Sequence, residues 1–317
     1  DREKAGQGRD MTTRRVAAVI GGSGFLGRHV VRRLAEDGYV VRVAARRADR
    51  AASLRPLGDV GQIVPLGASI LNHDSLVPVV EGARVVVNLV GILAEHGRAT
   101  FQAVHVDGAA QVARLAASAG VDRLVHVSAI GAAPDSPSAY GRSKAAGEDA
   151  VLRAMPEATI VRPSILFGAE DHFTNLFATL ARFSPVVPVY GARTRLQPVH
   201  VADVAEGIRR LVAGTRQDGA IFEFGGPAVR TMEEIARLIV AAVGRRRLVI
   251  AVPPALAWWQ AMWLEHLPGR MLTRDQLAML ASDNVAADGA PGLQQLGIQP
   301  ASMEMIVPSY LSGYKIT

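Results

Sequence analysis

The sequence has no cysteine, which excludes disulfides, thiolate metal sites and a cysteine nucleophile and is compatible with a reducing compartment. Aromatic residues make up only 5% of the 317 residues, and the basic side chains stand in scattered pairs such as Arg14-Arg15, Arg32-Arg33 and Arg209-Arg210 with no aromatics between them. Such a surface gives bases nothing to stack on. A net charge of +6 and a pI near 10.1 therefore do not point to nucleic acid, and none is expected as a partner. No apolar run reaches the ~20 residues that span a bilayer. The nearest approach, residues 248–264, is uncharged but broken by Pro253-Pro254. The first ten residues are polar, so no signal peptide is expected; they predict a disordered extension over 1–10, with Met11 as the natural start and a cytoplasmic location. His126, His172 and His200 are dispersed, no His-x-x-x-His or carboxylate pairing accompanies them, and no metal site is expected. Lysine is nearly absent as well: between Lys4 and Lys315 there is only Lys144.

What is present is a core former. Hydrophobic residues are 49% of the chain and mean hydropathy is +0.19. Short apolar runs at 16–20, 40–45, 63–66, 85–90, 124–127 and 159–161 have the length of buried strands, and helical patterns separate them. Alternation of this kind predicts right-handed βαβ units, hence an α/β fold with a doubly wound parallel sheet of the Rossmann type. Beyond Pro163 the pattern loosens into turns and short helices near 202–212, 232–243, 273–281 and 302–312, which predicts a smaller, mostly helical C-terminal lobe. The expected division is a nucleotide-binding domain over 11–165, with a segment near 197–225 returning to it, and a lobe over 166–317 for substrate or partner contacts.

The first strand runs into Gly21-Gly22-Ser23-Gly24-Phe25-Leu26-Gly27, which opens a helix expected over 28–37. Gly21 permits the tight turn, Gly24 lets the backbone approach a pyrophosphate, and Gly27 lets the helix pack against the sheet, while free N–H groups at the helix start attract phosphate charge. The second strand ends in Arg46-Arg47 with no acidic residue at its tip. A carboxylate there would bind the ribose 2′-hydroxyl of NAD, whereas a guanidinium fork fits a 2′-phosphate, so NADP(H) is the expected cofactor; the alternative is a pair of solvated arginines. Ser69 and Ile70, after the third strand, lie where adenine contacts occur. Val90 and Gly91, after the fourth, would let the chain pass close to the cofactor ribose. Asn88 either joins that environment or bridges adjacent strands through its amide.

The lone internal lysine stands four residues after Tyr140 in Tyr140-Gly-Arg-Ser-Lys144, one helical turn away and on the same face. A compact ammonium there can lower the pKa of a phenol or hydrogen-bond a sugar hydroxyl, which arginine does poorly. With the glycine loop, with His126-Val127-Ser128 at the fifth strand, and with Tyr140 and Lys144, the chain resembles extended and atypical short-chain dehydrogenases/reductases. It is most similar to the NADPH-binding accessory subunits of respiratory complex I and their bacterial homologues, through residues 156–171, Gln197 to Val204, Leu272-Thr273-Arg274-Asp275 and residues 291–298. The resemblance implies a tightly held NADPH in a subunit associated with complex I, on the inner face of a bacterial cytoplasmic membrane. It also implies roles for an active reductase or isomerase: Tyr140 as general acid or base, Lys144 orienting the nicotinamide ribose and lowering the Tyr140 pKa, and Ser128 polarising the carbonyl, with Arg162 and Pro163 beside the nicotinamide. Ser128 serves equally as a strand-end hydrogen-bonder, and Pro163 as a strand terminator. A cofactor-sensing regulator is a third alternative. Asp203 is expected to cap the helix after Val201-Ala202, and Glu170 and Asp171 lie in a loop or face the cleft.

Trp258, Trp259 and Trp263, all the tryptophans of the chain, fall in one short apolar segment downstream of Arg245-Arg246-Arg247. Either they fill a second core under the C-terminal lobe, or they form a docking surface for a membrane or a partner.

Overall fold

A computed structural model describes residues 15–214, 218–265 and 272–311, so the extension expected at 1–10 lies outside the described residues. The first half alternates as β1 (Val16–Ile20), α1 (Phe25–Glu36), β2 (Val40–Ala45), α2 (Ala48–Ala52), β3 (Ile63–Gly67), α3 (His73–Val80), β4 (Val85–Asn88), α4 (Gly108–Ser118), β5 (Arg123–Val127), α5 (Ala139–Ala154) and β6 (Thr159–Pro163). The second half continues with β7 (Leu166–Phe167), α6 (His172–Phe183), β8 (Val186–Val189), β9 (Arg195–Leu196), β10 (Val199–His200), α7 (Val201–Ala213) and β11 (Ile221–Phe224). It ends with β12 (Arg230–Thr231), α8 (Met232–Ala242), β13 (Leu248–Ala251), α9 (Pro254–Leu264), α10 (Arg274–Met279) and α11 (Met303–Leu311).

Seven strands form one parallel sheet in the order β3-β2-β1-β4-β5-β6-β11. The strands are apolar on both faces because helices cover both faces. Val30, Val31 and Leu34 of α1 and Val204, Ile208 and Leu211 of α7 pack on one side. Leu76 and Val79 of α3, Val112 and Ala116 of α4, and Val151 of α5 pack on the other. One row of the ladder runs Leu66, Ala44, Ile20, Asn88, His126, Ile160, Ile221. Everything leaving the strands just beyond that row emerges at a single edge. The order reverses between β1 and β4, and that crevice is where such sheets bind ligands.

The lobe after β6 has its own core, with Phe177 of α6, Val187 of β8, Ile235 and Ile239 of α8 and Val307 of α11. Several side chains tie it back to the sheet edge, among them Asn284 and Asp275. Asn284 accepts from Ser164 Oγ (2.6 Å) and Ile165 N–H at Oδ1, and its amide donates to Ile130 O (3.0 Å). Asp275 of α10 accepts from the N–H groups of Ala139 (2.6 Å) and Tyr140 (3.2 Å), satisfying free donors at the start of α5.

Several local expectations are corrected. The strand expected over 85–90 stops at Asn88, whose Oδ1 turns back to accept from Val90 N–H. The first helix begins at Phe25, because Gly24 already has the extended backbone of an N-cap. Asp203 is inside the first turn of α7 and accepts from Ala301 N–H instead of capping. The guanidinium of Arg162, at the end of β6, is committed to Glu148 (2.6 Å) and Glu223 (3.3 Å), clamping β6 to α5 and β11. Asp171 is the buried N-cap of α6, bonded to Thr174 N–H, and Glu170 pairs with Arg28.

Candidate nucleotide and catalytic site

The glycine loop is shaped by steric necessity. Gly21 has φ +83°, a left-handed backbone that favours glycine. A Cβ on Gly27 would lie 2.5 Å from Gly21 O and 2.6 Å from Gly22 Cα, so only glycine lets α1 sit this close to the end of β1. Phe25 and Leu26 turn their side chains toward the core, and Gly24 supplies no capping side chain. The amides that open α1 are thus left facing the crevice together with Gly22 and Ser23, an arrangement that receives a diphosphate.

At the tip of β2, Arg46 and Arg47 are both exposed but differ in commitment. Arg47 pairs with Asp49 (2.5 Å), whereas Arg46 has no partner among the described residues. Ser69 is tied into a local turn, its N–H donating to Ser75 Oγ and its own Oγ accepting from Leu71 N–H. Ile70 is 6% exposed and its side chain lies in the core against Gly108, so only its backbone is left for an adenine. Val90 packs over Gly21, and a Cβ on Gly91 would come within 3.7 Å of His105 Nε2 and 4.0 Å of Lys144 Nζ. Pro163 sits at the end of β6, its carbonyl accepting from Ile130 N–H.

Tyr140 and Lys144 stand on the first turns of α5, and Ser128 follows β5. Lys144 is 3% exposed and donates to Val127 O (2.9 Å). Burial pulls its ammonium down to about 8, while Glu148, one turn further along α5, acts in the opposite direction. Burial pushes the Tyr140 phenol up to about 12, and no neighbouring charge lowers it, contrary to the expectation that Lys144 would. At neutral pH Tyr140 is a proton donor.

The residue missed in the sequence is His105. A π-helical turn, Gln102–Asp107, places it behind Tyr140, stacked on Phe101 (5.4 Å between centroids) and edge-on to Tyr140 (5.5 Å). Its Nε2 accepts from Ile92 N–H, so Nδ1 carries the proton and donates to Ser143 Oγ (2.8 Å), which donates to Tyr140 O. Burial, and then the Lys144 charge, pull its pKa down to about 3. His126 is buried too, bridged to Asn88 of β4 at 3.1 Å, which gives Asn88 the strand-bridging role. Nothing in the spacing of the sequence marks His105, because the turn that presents it lies far from Tyr140 along the chain.

Three buried side-chain atoms have no hydrogen-bond partner among the described residues: Arg28 Nε, Gln111 Nε2 and Ser128 Oγ. For Ser128 Oγ this arrangement costs about 1–3 kcal/mol unless a ligand meets it. With the glycine cradle on one side of the edge and this hydroxyl on the other, the residues present fit a nicotinamide dinucleotide. No group of three or more metal-ligating side chains occurs among the described residues.

A parallel sheet in this order, with a glycine loop at its reversal point and a Tyr-x-x-x-Lys helix along the same edge, defines a dinucleotide-binding protein of the short-chain dehydrogenase/reductase type. The chain matches the NAD dependent epimerase/dehydratase family over residues 17–225 and belongs to it. It is 33% identical to "NADH dehydrogenase [ubiquinone] 1 alpha subcomplex subunit 9, mitochondrial" of Arabidopsis thaliana, across 97% of this chain and 80% of that one. It is 38% identical to a ceramide reductase of Caulobacter vibrioides over 203 residues, 64% of this chain and 62% of the other. An NADPH-dependent quinone oxidoreductase of Escherichia coli has the same fold, with TM-score 0.74 at 17% identity, covering 93% of this chain and 99% of that one.

Proposed function

We propose that the protein holds NADP(H) in the β1/β4 crevice and serves as an accessory or assembly subunit of a respiratory NADH:quinone oxidoreductase. The observation that carries the reading is the likeness to the Arabidopsis complex I subunit, which extends through the C-terminal lobe. The lobe is where such a subunit would meet its partners. Native purification tests it: the protein is expected to co-migrate with complex I, and a soluble species separate from the complex would overturn the reading.

NADP(H) over NAD(H) rests on Arg46, the guanidinium at the β2 tip without a partner among the described residues. Arg46→Ala is expected to raise the Kd for NADPH by roughly tenfold, about 1.4 kcal/mol, with the Kd for NADH nearly unchanged. Equal effects on the two would show that the 2′-phosphate is held elsewhere.

A second reading is an active reductase, favoured by the unpartnered Ser128 Oγ. Bound NADPH would supply a hydride to a substrate carbonyl carbon. Ser128 would hydrogen-bond the carbonyl oxygen, and Tyr140 Oη would deliver the proton to it, which suits a phenol held above its ordinary range. Lys144 would hold the nicotinamide ribose beside Gly91. The accessory role and turnover are separated by assaying NADPH oxidation with long-chain ketones, to which Tyr140→Phe should be inert while still binding NADPH.

Peripheral membrane contact through the tryptophans belongs with the first reading. Trp258, Trp259 and Trp263 are 52%, 56% and 61% exposed, which excludes the alternative of a second core. No helix among the described residues is long and apolar enough to cross a membrane.

A further inference from the structure

The buried residues of helix α9 are Ala257 and Ala261. Its inner face, α10 and the turn between β8 and β9 enclose a cleft of about 850 Å³. That volume lies within the roughly 300–1,000 Å³ of small-molecule sites. Its walls are small aliphatic groups, among them Ala192, Val252, Pro254, Leu277, Ala278 and Ala281. The polar groups at the wall are already committed: Thr194 Oγ1 donates to Leu280 O, and Arg274 pairs with Glu265 (2.6 Å). One charge is left, the exposed Arg193 at the rim, which has no partner among the described residues. With a mostly aliphatic wall and with Thr194 and Arg274 engaged, the cleft offers few partners for the hydroxyls of a sugar or a nucleotide, which suits it to an apolar occupant.

The cleft is also not isolated. Trp258 lines it and is half exposed, and Leu256, Trp259 and Trp263 continue the apolar surface outward along α9. On the other side, β13 leads from the cleft through exposed Ile250 and Leu248 to a second hollow of about 510 Å³ bordered by Arg237, Arg245, Arg246 and Arg247. An apolar slot, an apolar apron and flanking cations match one chemistry, that of an anionic amphiphile. We infer that the cleft between α9, α10 and the β8–β9 turn takes a single acyl chain of an anionic lipid, with Arg193 meeting the acidic headgroup. The site is distinct from the nucleotide crevice, yet α10 also carries Asp275, whose carboxylate holds Ala139 and Tyr140 at the head of α5. The inference does not depend on the accessory-subunit reading.

The three tryptophans all lie on α9, so intrinsic tryptophan fluorescence reports on this face alone. The full chain, loaded with NADPH, is titrated with a monomeric fatty acid brominated along its chain, bromine being a contact quencher of indole. Saturable quenching is expected, weakened about tenfold or more when Ala278→Phe fills the slot. Arg193→Glu should weaken the brominated acid and leave the corresponding brominated alcohol unaffected. NADPH binding by each variant, measured on the same samples, checks that it is folded; Leu277→Phe serves in its place should Ala278→Phe fail that check. Absence of quenching by the monomeric acid, or quenching by vesicles of brominated phosphatidylglycerol alone, means surface adsorption and overturns the inference, as does quenching indifferent to the filled slot. Each of these results leaves co-migration with complex I untouched.

Discussion

Gly27→Ala is expected to weaken NADPH binding by about 100-fold or more, some 3 kcal/mol, and to lower the stability of the fold by a similar amount. The cause is that the new methyl would meet backbone: Gly21 O at 2.5 Å and Gly22 Cα and C at 2.6 Å. Backbone atoms at the end of a central strand cannot turn aside as a side chain can, so α1 must lift off the sheet. Lifting α1 separates its opening amides from the crevice and opens the packing of Val30, Val31 and Leu34. Gly24→Ala is the control that divides the two effects. Gly24 has φ −76°, and a Cβ there meets only Gly21 O at 3.2 Å, so the apo fold should be nearly unchanged. Its methyl would still project where the diphosphate approaches, and NADPH affinity should fall. Thermal melts with and without NADPH, together with cofactor titrations, read both. A Gly27→Ala protein that binds NADPH as the parent does would remove the glycine loop from the site.

The second large effect runs in opposite directions in one protein. Lys144→Met is expected to abolish any turnover and weaken NADPH binding while making the apo protein more stable by roughly 2 kcal/mol at pH 7. Lys144 is a buried ammonium whose pKa is pulled from 10.5 to about 8, so the folded state binds its proton less tightly than the unfolded chain does. The sign follows. Below pH 8 the residue is charged in both states and opposes folding in full; between pH 8 and 10.5 the unfolded chain holds the extra proton, and stability of the parent rises with pH. Above 10.5 the penalty is gone. The advantage of Lys144→Met in apo melts should therefore shrink as pH rises from 8 to 10.5, and the lost hydrogen bond to Val127 O is why it falls short of the full shift. An advantage that stays constant across that range would mean that Lys144 is not held in a desolvated position.

Much of this was legible in the residues. The six strands read from apolar runs are all present, the fourth two residues shorter than expected, and the glycine loop joins β1 to α1 at the reversal point, because those features depend on local periodicity and on backbone angles only glycine tolerates. The spacing of Tyr140 and Lys144 likewise translates directly into one face of α5. Contacts between distant segments were not legible. His105 reaches Tyr140 through a single irregular turn, and the guanidinium of Arg162 is engaged by carboxylates 14 and 61 residues off. Ile70 has the right position in the chain for adenine, but the turn after β3 sends its side chain inward against Gly108. Exposure of the tryptophans was undecidable from composition, since a helix apolar all round suits a core and a docking face alike.

The carboxylate of Asp275 gives the last third of the chain a hold over the helix that bears Tyr140 and Lys144. A protein shortened before that position would retain every strand of the seven-stranded sheet and every glycine of the loop, so it should still take up dinucleotide. What it would lose is the clasp on the leading end of the helix that bears Tyr140. Were the protein the reductase of the second reading, fraying there would leave a vessel loaded with reductant and no reliable way to discharge it.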